Sequence, residues 1–250
     1  MGSTSESLLR ARVTDAVDQC RRRGRPIFLG FLTEEERGLT EQILKKESSV
    51  AFDFSGGYED ALRGMVAVIP LDFPAEAVRF PFSALGFSYR KEAALGHRDF
   101  LGTLLGCGIE RDAVGDILCG EGSAVVFVRD DLLPYLTDQI TRVGREGVSL
   151  LPHYDGPLPV KQEAEQQRLT VASPRLDAVI AALTHLSRNK AAEMITAGTV
   201  AVCHLPCTSV SREVKPNDTL SVRGVGRFQI ESFGGKTKKG RNVIIVKKFR

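Results

Sequence analysis

A proline-rich, polar segment over residues 150–174 divides the chain into two parts of opposite charge. It holds four prolines, and the charge changes sign directly after it. From Pro174 to Arg250 there are 14 Lys and Arg against 5 Asp and Glu, a net charge of +9, whereas the first 173 residues have 20 against 26, a net charge of −6. A basic module on an acidic body is typical of a protein that binds a polyanion such as nucleic acid. The segment therefore predicts a domain boundary near Ser173.

Length and composition restrict the class of protein further. With 250 residues the chain can form one large domain or two to three small ones. It has no apolar run near the roughly 18 residues of a membrane span and no apolar N-terminal segment of the signal-peptide kind. We therefore expect a cytoplasmic protein without a membrane partner. The five cysteines are odd in number and scattered, which favours reduced thiols over a disulfide framework.

The first 80 residues predict a small N-terminal α/β domain. Thr33, followed three residues later by Glu36, has the pattern of a capping box at a helix start. The predicted elements are helices over Leu8–Cys20 and Thr33–Lys45, a strand over Val50–Phe54, a turn at Gly56-Gly57, a short helix from Glu59 and a strand over Met65–Pro70.

Residues 81–160 predict a middle domain with the element order βαββαβ. The predicted elements are strand Ala84–Tyr89, helix Asp99–Leu105, strands Asp116–Cys119 and Ala124–Val128, helix Leu132–Val143 and strand Val148–Leu151. This order is typical of a ferredoxin-like sandwich, the fold that RNA-recognition motifs also use. Such motifs stack bases on aromatic side chains of a central strand, but the candidate strand offers only Phe127. Any contact of this domain with RNA is therefore expected to differ from theirs.

The basic region predicts two helices followed by strands, after a linker over residues 161–173. Apolar residues from Leu176 to Leu186 recur at helical spacing, and Ser187 is expected to cap a second helix that ends at Gly198. Strands are expected over Val200–Cys203, Thr219–Arg223, Arg227–Ile230 and Asn242–Lys247.

Cations gather where these two helices begin. Arg188 and Lys190 fall in the first turn of the second helix, and Arg175 precedes the first helix. Positive charge at a helix N-terminus is unfavourable for the isolated helix, because that end already has positive potential. The pattern favours an anion, such as an RNA phosphate, that docks there.

The motifs of this region resemble those of the S4 domain, a small RNA-binding module. They are R-L-D, L-S-R-x-x-A, G-x-V-x-V, V-K-x-x-D and S-V-R-G, within residues 174–250. One departure is Cys203-His204, where many S4 domains have Asn-Gly in a hairpin. The helix-start argument and the resemblance together give the expected RNA-binding residues, which are Arg175, Ser187, Arg188, Asn189, Lys190, Lys215, Arg223, Arg227, Lys238, Lys239 and Arg241.

Two further motifs, GGYEDALRGM over residues 56–65 and HRDFLGTLLGCGIERDAVGDIL over residues 97–118, extend the resemblance. With the S4 motifs they resemble the YlmH-type S4-domain proteins, from about Phe28 to the end. The resemblance implies an RNA-recognition-like middle region and an S4 domain that binds ribosomal RNA. It also implies a role in quality control on the large ribosomal subunit, where such proteins hold stalled peptidyl-tRNA, so tRNA is a further expected partner.

His97, Arg98 and Asp99 open the second motif with the letters of a protein-kinase catalytic loop. That loop needs an Asn five residues after its Asp, but this chain has Leu104 there. We expect Asp99 to be a helix N-cap instead. His97, Arg98 and Arg111 are then candidates for a second RNA contact, although the motif could also serve only to fix a strand-to-helix turn.

Alternative functions remain open at this point. R-L-D also occurs in pseudouridine synthases, whose Asp is the nucleophile, but Asp177 lies in an amphipathic segment and is expected to cap the helix or to pair with a nearby Arg. No dinucleotide fingerprint or paired catalytic motif is evident, so we expect no enzyme and no cofactor; an RNA-modifying enzyme anchored by the S4 domain is the alternative. Cys203, His204 and Cys207 are too few for a metal site. A monomer is expected, and a cell-division adaptor is a third possibility.

Overall fold

The computed structural model describes residues 3–59, 61–159, 165–237 and 240–249. Its contacts divide the chain into two compact units, Met1–Lys161 and Gln162–Arg250, which we call unit 1 and unit 2. Both combine helices with antiparallel sheets, so the predicted mixture of α and β structure is confirmed. Among the described residues, no helix has the length and apolar character needed to cross a membrane.

Unit 1 begins with two helices and a three-stranded antiparallel sheet in the order β1-β3-β2. The elements are α1 Ser3–Arg23, β1 Ile27–Leu32, α2 Glu34–Leu44, β2 Val50–Ser55 and β3 Gly64–Pro70. The predicted capping box is confirmed, because Thr33 Oγ1 accepts from the Glu36 N–H and the Glu36 carboxylate accepts from the Thr33 N–H. Strand β1 was not predicted. The short helix predicted from Glu59 is wrong, since the described residues there form turns and bends.

The second sheet of unit 1 has the strand order β5-β6-β4-β9. Its elements are β4 Phe82–Ser88, α3 His97–Gly106, β5 Val114–Gly120, β6 Ser123–Arg129, α4 Leu133–Gln139, a small hairpin of β7 Arg142–Val143 with β8 Glu146–Gly147, and β9 Ser149–Leu151. Apart from that hairpin, the predicted order βαββαβ is present. Helix α4 is shorter than the predicted helix Leu132–Val143. The backbone becomes extended at Ile140, where φ is −93° and ψ is 108°.

Unit 2 is built on one six-stranded antiparallel sheet in the order β10-β15-β14-β13-β11-β12. Its elements are β10 Glu165–Val171, α5 Leu176–Thr184, α6 Arg188–Thr196, β11 Val200–Val202, β12 Leu205–Pro206, β13 Thr219–Val222, β14 Gly226–Lys236 and β15 Asn242–Phe249. The linker predicted over residues 161–173 is wrong for its second half. Residues Glu165–Val171 pair with β15 along their whole length, so this segment is an edge strand of unit 2.

Cys203 and His204 form the two-residue turn of a hairpin that joins β11 to β12. This is the position where many S4 domains have Asn-Gly. Val202 pairs with Leu205, and both turn residues have positive φ, 49° at Cys203 and 69° at His204. A two-residue turn with φ positive at both positions is the kind in which Asn-Gly is preferred. The hairpin therefore keeps its shape although neither residue is glycine.

Candidate nucleic-acid interface

The first turn of α5 holds a buried carboxylate between two arginines. Asp177 is 5% exposed, and its Oδ1 accepts from Arg175 Nε at 3.2 Å and from the Ala178 N–H at 2.9 Å. Its Oδ2 accepts from Arg188 Nη2 at 2.5 Å. The expectation that Asp177 pairs with a nearby Arg is confirmed. We call Arg175, Asp177 and Arg188 the Asp177 triad.

The charge of Asp177 is maintained by its two partners. Burial alone would raise the pKa of this carboxyl, but the hydrogen bonds from Arg175 and Arg188 outweigh burial and hold the pKa below its usual value. Asp177 is therefore an anion at neutral pH, and the triad has a net charge of +1.

The triad orients guanidinium groups at the start of both helices. The side chain of Arg188 is 52% exposed and that of Arg175 is 40% exposed, so each presents surface to solvent while it is held by Asp177. A guanidinium has five N–H donors in a rigid plane and can bind a carboxylate and a phosphate with different edges. Arg188 lies at the helix start, as the sequence predicted, and its pairing with Asp177 gives it a fixed orientation.

The first turn of α6 is capped as predicted. Ser187 Oγ accepts from the Lys190 N–H at 3.2 Å, so this backbone donor is satisfied within the protein. Lys190 Nζ lies 2.8 Å from a Glu193 oxygen, and both side chains are more than half exposed. Such a surface ion pair contributes little to the free energy of unfolding. Lys190 can therefore exchange Glu193 for another anion. Asn189 is exposed beside it.

The remaining predicted cations of unit 2 follow the sheet. Lys215 and Arg223 are exposed in the turns on either side of β13, and Arg241 is exposed just before β15. The guanidinium of Arg227 lies 4.5 Å from the centre of the Phe249 ring. Lys238 and Lys239 lie outside the described residues.

Four cations of the unit 2 sheet were missed in the sequence, which are Arg168 on β10, Lys236 on β14, and Lys247 and Lys248 on β15. Lys247 also approaches the Phe249 ring, at 5.2 Å, and Arg168 is exposed on β10. The alternation along β15, where buried Val246 precedes Lys247, was the signal that could have identified Lys247. Arg168 could not be identified because β10 itself was not recognised.

The proposed second contact is arranged differently from the expectation. Gly96, not Asp99, is the N-cap of α3, and Asp99 instead accepts from the Gly96 N–H at 2.8 Å. Arg111 is turned toward the protein, since its Nη1 donates to the carbonyl oxygens of Val114 and Gly115. Arg98 is exposed. His97 is also exposed, and partial burial, and then the charge of Arg111, lower its pKa.

The GGYEDALRGM motif is held by a second buried carboxylate. Asp116 on β5 accepts from Tyr58 Oη at 2.8 Å, from the Leu62 N–H at 2.6 Å and from the Arg63 N–H at 3.2 Å. The guanidinium of Arg63 donates to the carbonyl oxygens of Phe31 and Val114. Two motifs far apart in sequence thus form one structural cluster that fixes the segment 56–65.

The aromatic face of the second sheet is covered by the chain itself. Phe127 on β6 is 3% exposed, and Tyr58 stacks on it with ring centres 5.5 Å apart. Phe31 and Met65 of the first sheet pack in the same cluster, with Tyr154 against it. An RNA-recognition motif binds bases on this face. Bases therefore cannot stack on Phe127 in this arrangement, and Tyr58 is engaged with Phe127.

Comparison with known proteins agrees with this architecture. The family described as "Putative RNA-binding domain in YlmH" matches residues 79–154, which comprise the second sheet of unit 1 and its helices. The fold and the match define a protein with an RNA-binding domain of the YlmH type.

Similarity to a whole relative is more extensive. "Ribosome-associated protein quality control protein P2" of Bacillus subtilis (strain 168) is 33% identical over 214 residues, which are 84% of this chain and 82% of the relative. The chain belongs to the YlmH family. A solved structure, "Cell division protein ylmH from Streptococcus pneumoniae", has 23% identity and a TM-score of 0.54 over 62% of this chain and 94% of that chain. That likeness supports the fold alone.

Proposed function

We propose that this protein is a non-catalytic RNA-binding factor that acts on ribosomal RNA of the large subunit. In this proposal unit 2 is an S4-type module, and the protein serves ribosome-associated quality control by stabilising peptidyl-tRNA on stalled large subunits. The name of the B. subtilis relative supports the ribosomal role. The net charge of +9 over residues 174–250 supports a polyanionic partner.

The Asp177 triad is the observation that carries the proposal. It holds two arginines at the starts of α5 and α6, with Ser187 and Lys190 beside them. Fixed guanidinium groups that keep outward-facing donors are suited to phosphate recognition. On unit 1 the proposal retains Arg98 and His97 as a second contact. Arg111 is a weaker candidate, because its guanidinium already donates to backbone carbonyls.

The first prediction concerns the salt dependence of binding. The double variant Arg188→Ala, Lys190→Ala should bind large-subunit RNA more weakly than wild type. Its log–log salt slope should be reduced by roughly 0.7 to 0.9 for each phosphate that these side chains no longer neutralise. Filter binding over a series of salt concentrations measures both quantities. Lys45→Ala, Lys46→Ala is the matched control on unit 1. A slope and affinity equal to wild type in the first variant would refute the assignment.

The environment of Asp177 also argues against the enzyme alternative. A catalytic nucleophile must reach its substrate, but this carboxylate is buried and accepts from two arginines and a backbone N–H. We therefore expect no change of base mass and no new pseudouridine when the protein is incubated with ribosomal RNA, with or without S-adenosylmethionine. Mass spectrometry of the RNA measures both. A product that forms with wild type and is lost in Asp177→Asn would favour an enzyme.

A further inference from the structure

Four of the five residues from 21 to 25 are arginines, and they stand where α1 ends. They are Arg21, Arg22, Arg23 and Arg25, which we call the α1 arginine cluster. All four are exposed. They are 4 of the 20 Lys and Arg in the first 173 residues, a part of the chain with net charge −6. An otherwise acidic body thus concentrates positive charge at one place.

The cluster is not neutralised by carboxylates in the part of the chain that the structure describes. Earlier on the same helix, Arg10 pairs with Glu6 at 2.9 Å and Arg12 with Asp112 at 3.2 Å. Within the cluster the described side-chain hydrogen bond is from Arg22 Nε to the backbone oxygen of Asp18, at 3.3 Å. The helix therefore pairs its other arginines and leaves these to solvent.

Helix stability alone does not account for four arginines. Cations in a last turn complement the helix dipole, but adjacent like charges repel one another. Gly24, with φ of 58°, ends the helix, and its N–H donates to the Cys20 carbonyl. Arg25 therefore lies beyond the helix, where this benefit has ended.

The arrangement suits an extended anion better than a small one. Successive helix positions differ by about 100°, so Arg21 to Arg23 spread over more than half of the helix circumference. Arg21 and Arg22 line an open depression together with Asp18, whose carboxylate disfavours a single anion seated there. Spread guanidinium groups can each bind a different phosphate of a polymer.

We propose that the α1 arginine cluster is a further RNA-binding surface, which takes the sugar-phosphate backbone. The choice of RNA rests on the proposed function of the chain. A membrane surface fits less well, because α1 buries Leu9, Val13 and Val17. Besides the exposed Leu8, the described side chains of α1 leave no apolar stripe to insert between lipids. Both units belong to one chain, so a weak contact here adds avidity to the contact of unit 2.

The test uses the full chain and a labelled RNA duplex of about 16 base pairs. The variant Arg21→Gln, Arg22→Gln, Arg23→Gln should bind about tenfold more weakly near 0.1 M salt, with a log–log slope lower by about 2. Replacing the same three residues by Lys keeps the charge and should retain most of the slope. Circular dichroism should be unchanged, since these side chains are exposed.

The matched control is Lys46→Gln, Lys91→Gln, Arg145→Gln, which removes the same charge from exposed sites elsewhere on unit 1. Equal affinity and slope in the cluster variant and this control would overturn the inference. Vesicles with roughly one third anionic lipid are the second probe. The inference would also be overturned if the cluster variant bound these vesicles more weakly than wild type but bound the RNA duplex as its control does.

A third variant separates this inference from the proposed function. If Arg175→Gln, Arg188→Gln abolishes RNA binding while the cluster variant matches its control, the proposed function stands and the inference fails. If only the cluster variant loses binding, the inference stands and the role proposed for unit 2 fails.

Discussion

Replacing Asp116 by Ala is expected to destabilise unit 1 by about 3 kcal/mol, because three donors lose a buried charged acceptor. Tyr58 Oη and the N–H groups of Leu62 and Arg63 all donate to this carboxylate. Amide hydrogen exchange should become faster over residues 56–65 and along β5. The segment Gln162–Arg250 should be unaffected, since it forms a separate compact unit.

Asp112→Ala is the control for this prediction. Asp112 lies four residues earlier, but its ion pair with Arg12 is exposed by about two fifths on both sides, so the decrease in stability should be below about 1 kcal/mol. Equal effects of the two substitutions on exchange over residues 56–65 would contradict the role assigned to Asp116.

Replacing Asp177 by Asn is expected to weaken RNA binding about tenfold, equivalent to about 1.4 kcal/mol, although it makes unit 2 more positive. Asn keeps the shape but cannot hold two guanidinium groups by charge, so Arg175 and Arg188 lose their fixed orientation. Unit 2 should also lose about 2 kcal/mol of stability, because hydrogen bonds to a buried charge are removed. If net charge alone governed binding, affinity would rise instead.

Glu193→Gln is the matched control, because it also removes one carboxylate but from an exposed pair with Lys190. It should leave affinity unchanged or raise it slightly. The two variants should therefore differ in the direction of the effect, which titration with large-subunit RNA measures. A rise in both would contradict the orienting role of Asp177.

The pH dependence of unit 2 follows from the same residue. The folded pKa of Asp177 is lowered, because the hydrogen bonds from Arg175 and Arg188 outweigh the effect of burial. Ionised Asp177 therefore stabilises folded unit 2 fully above the pKa of an unfolded Asp, about 3.9. This stabilisation is lost as pH falls through the pKa of Asp177 in the folded protein. Asp177→Asn should remove this part of the acid sensitivity, which hydrogen exchange over unit 2 can follow.

The sequence predicted best the elements that local signals define. The capping box of Thr33 and the cap by Ser187 depend on residues within three positions, and both are present. Strand β10 was missed because Glu165–Val171 is an edge strand in which only Leu169 and Val171 are buried, so its polar composition resembles a linker. The run Ile27–Leu32 lacks the alternation that marks a half-buried strand.

The roles of the motif residues depended on contacts that a sequence does not display. The predicted helix after Glu59 was wrong because Asp116, more than 50 positions later, holds that segment as a loop. Arg111 was taken for a surface cation, but its guanidinium binds the backbone of β5. The pairing of Asp177 with an arginine was predicted. The sequence did not show that Asp177 binds both Arg175 and Arg188, because Arg188 reaches Asp177 only when α5 and α6 are packed together.

Crosslinking the protein to RNA in cells and sequencing the attached RNA tests the central claim most directly. The account predicts peaks in the ribosomal RNA of the large subunit for wild type, and their loss in Arg175→Gln, Arg188→Gln at equal protein level. Peaks confined to messenger RNA, or ribosomal peaks that persist unchanged in this variant, would contradict it.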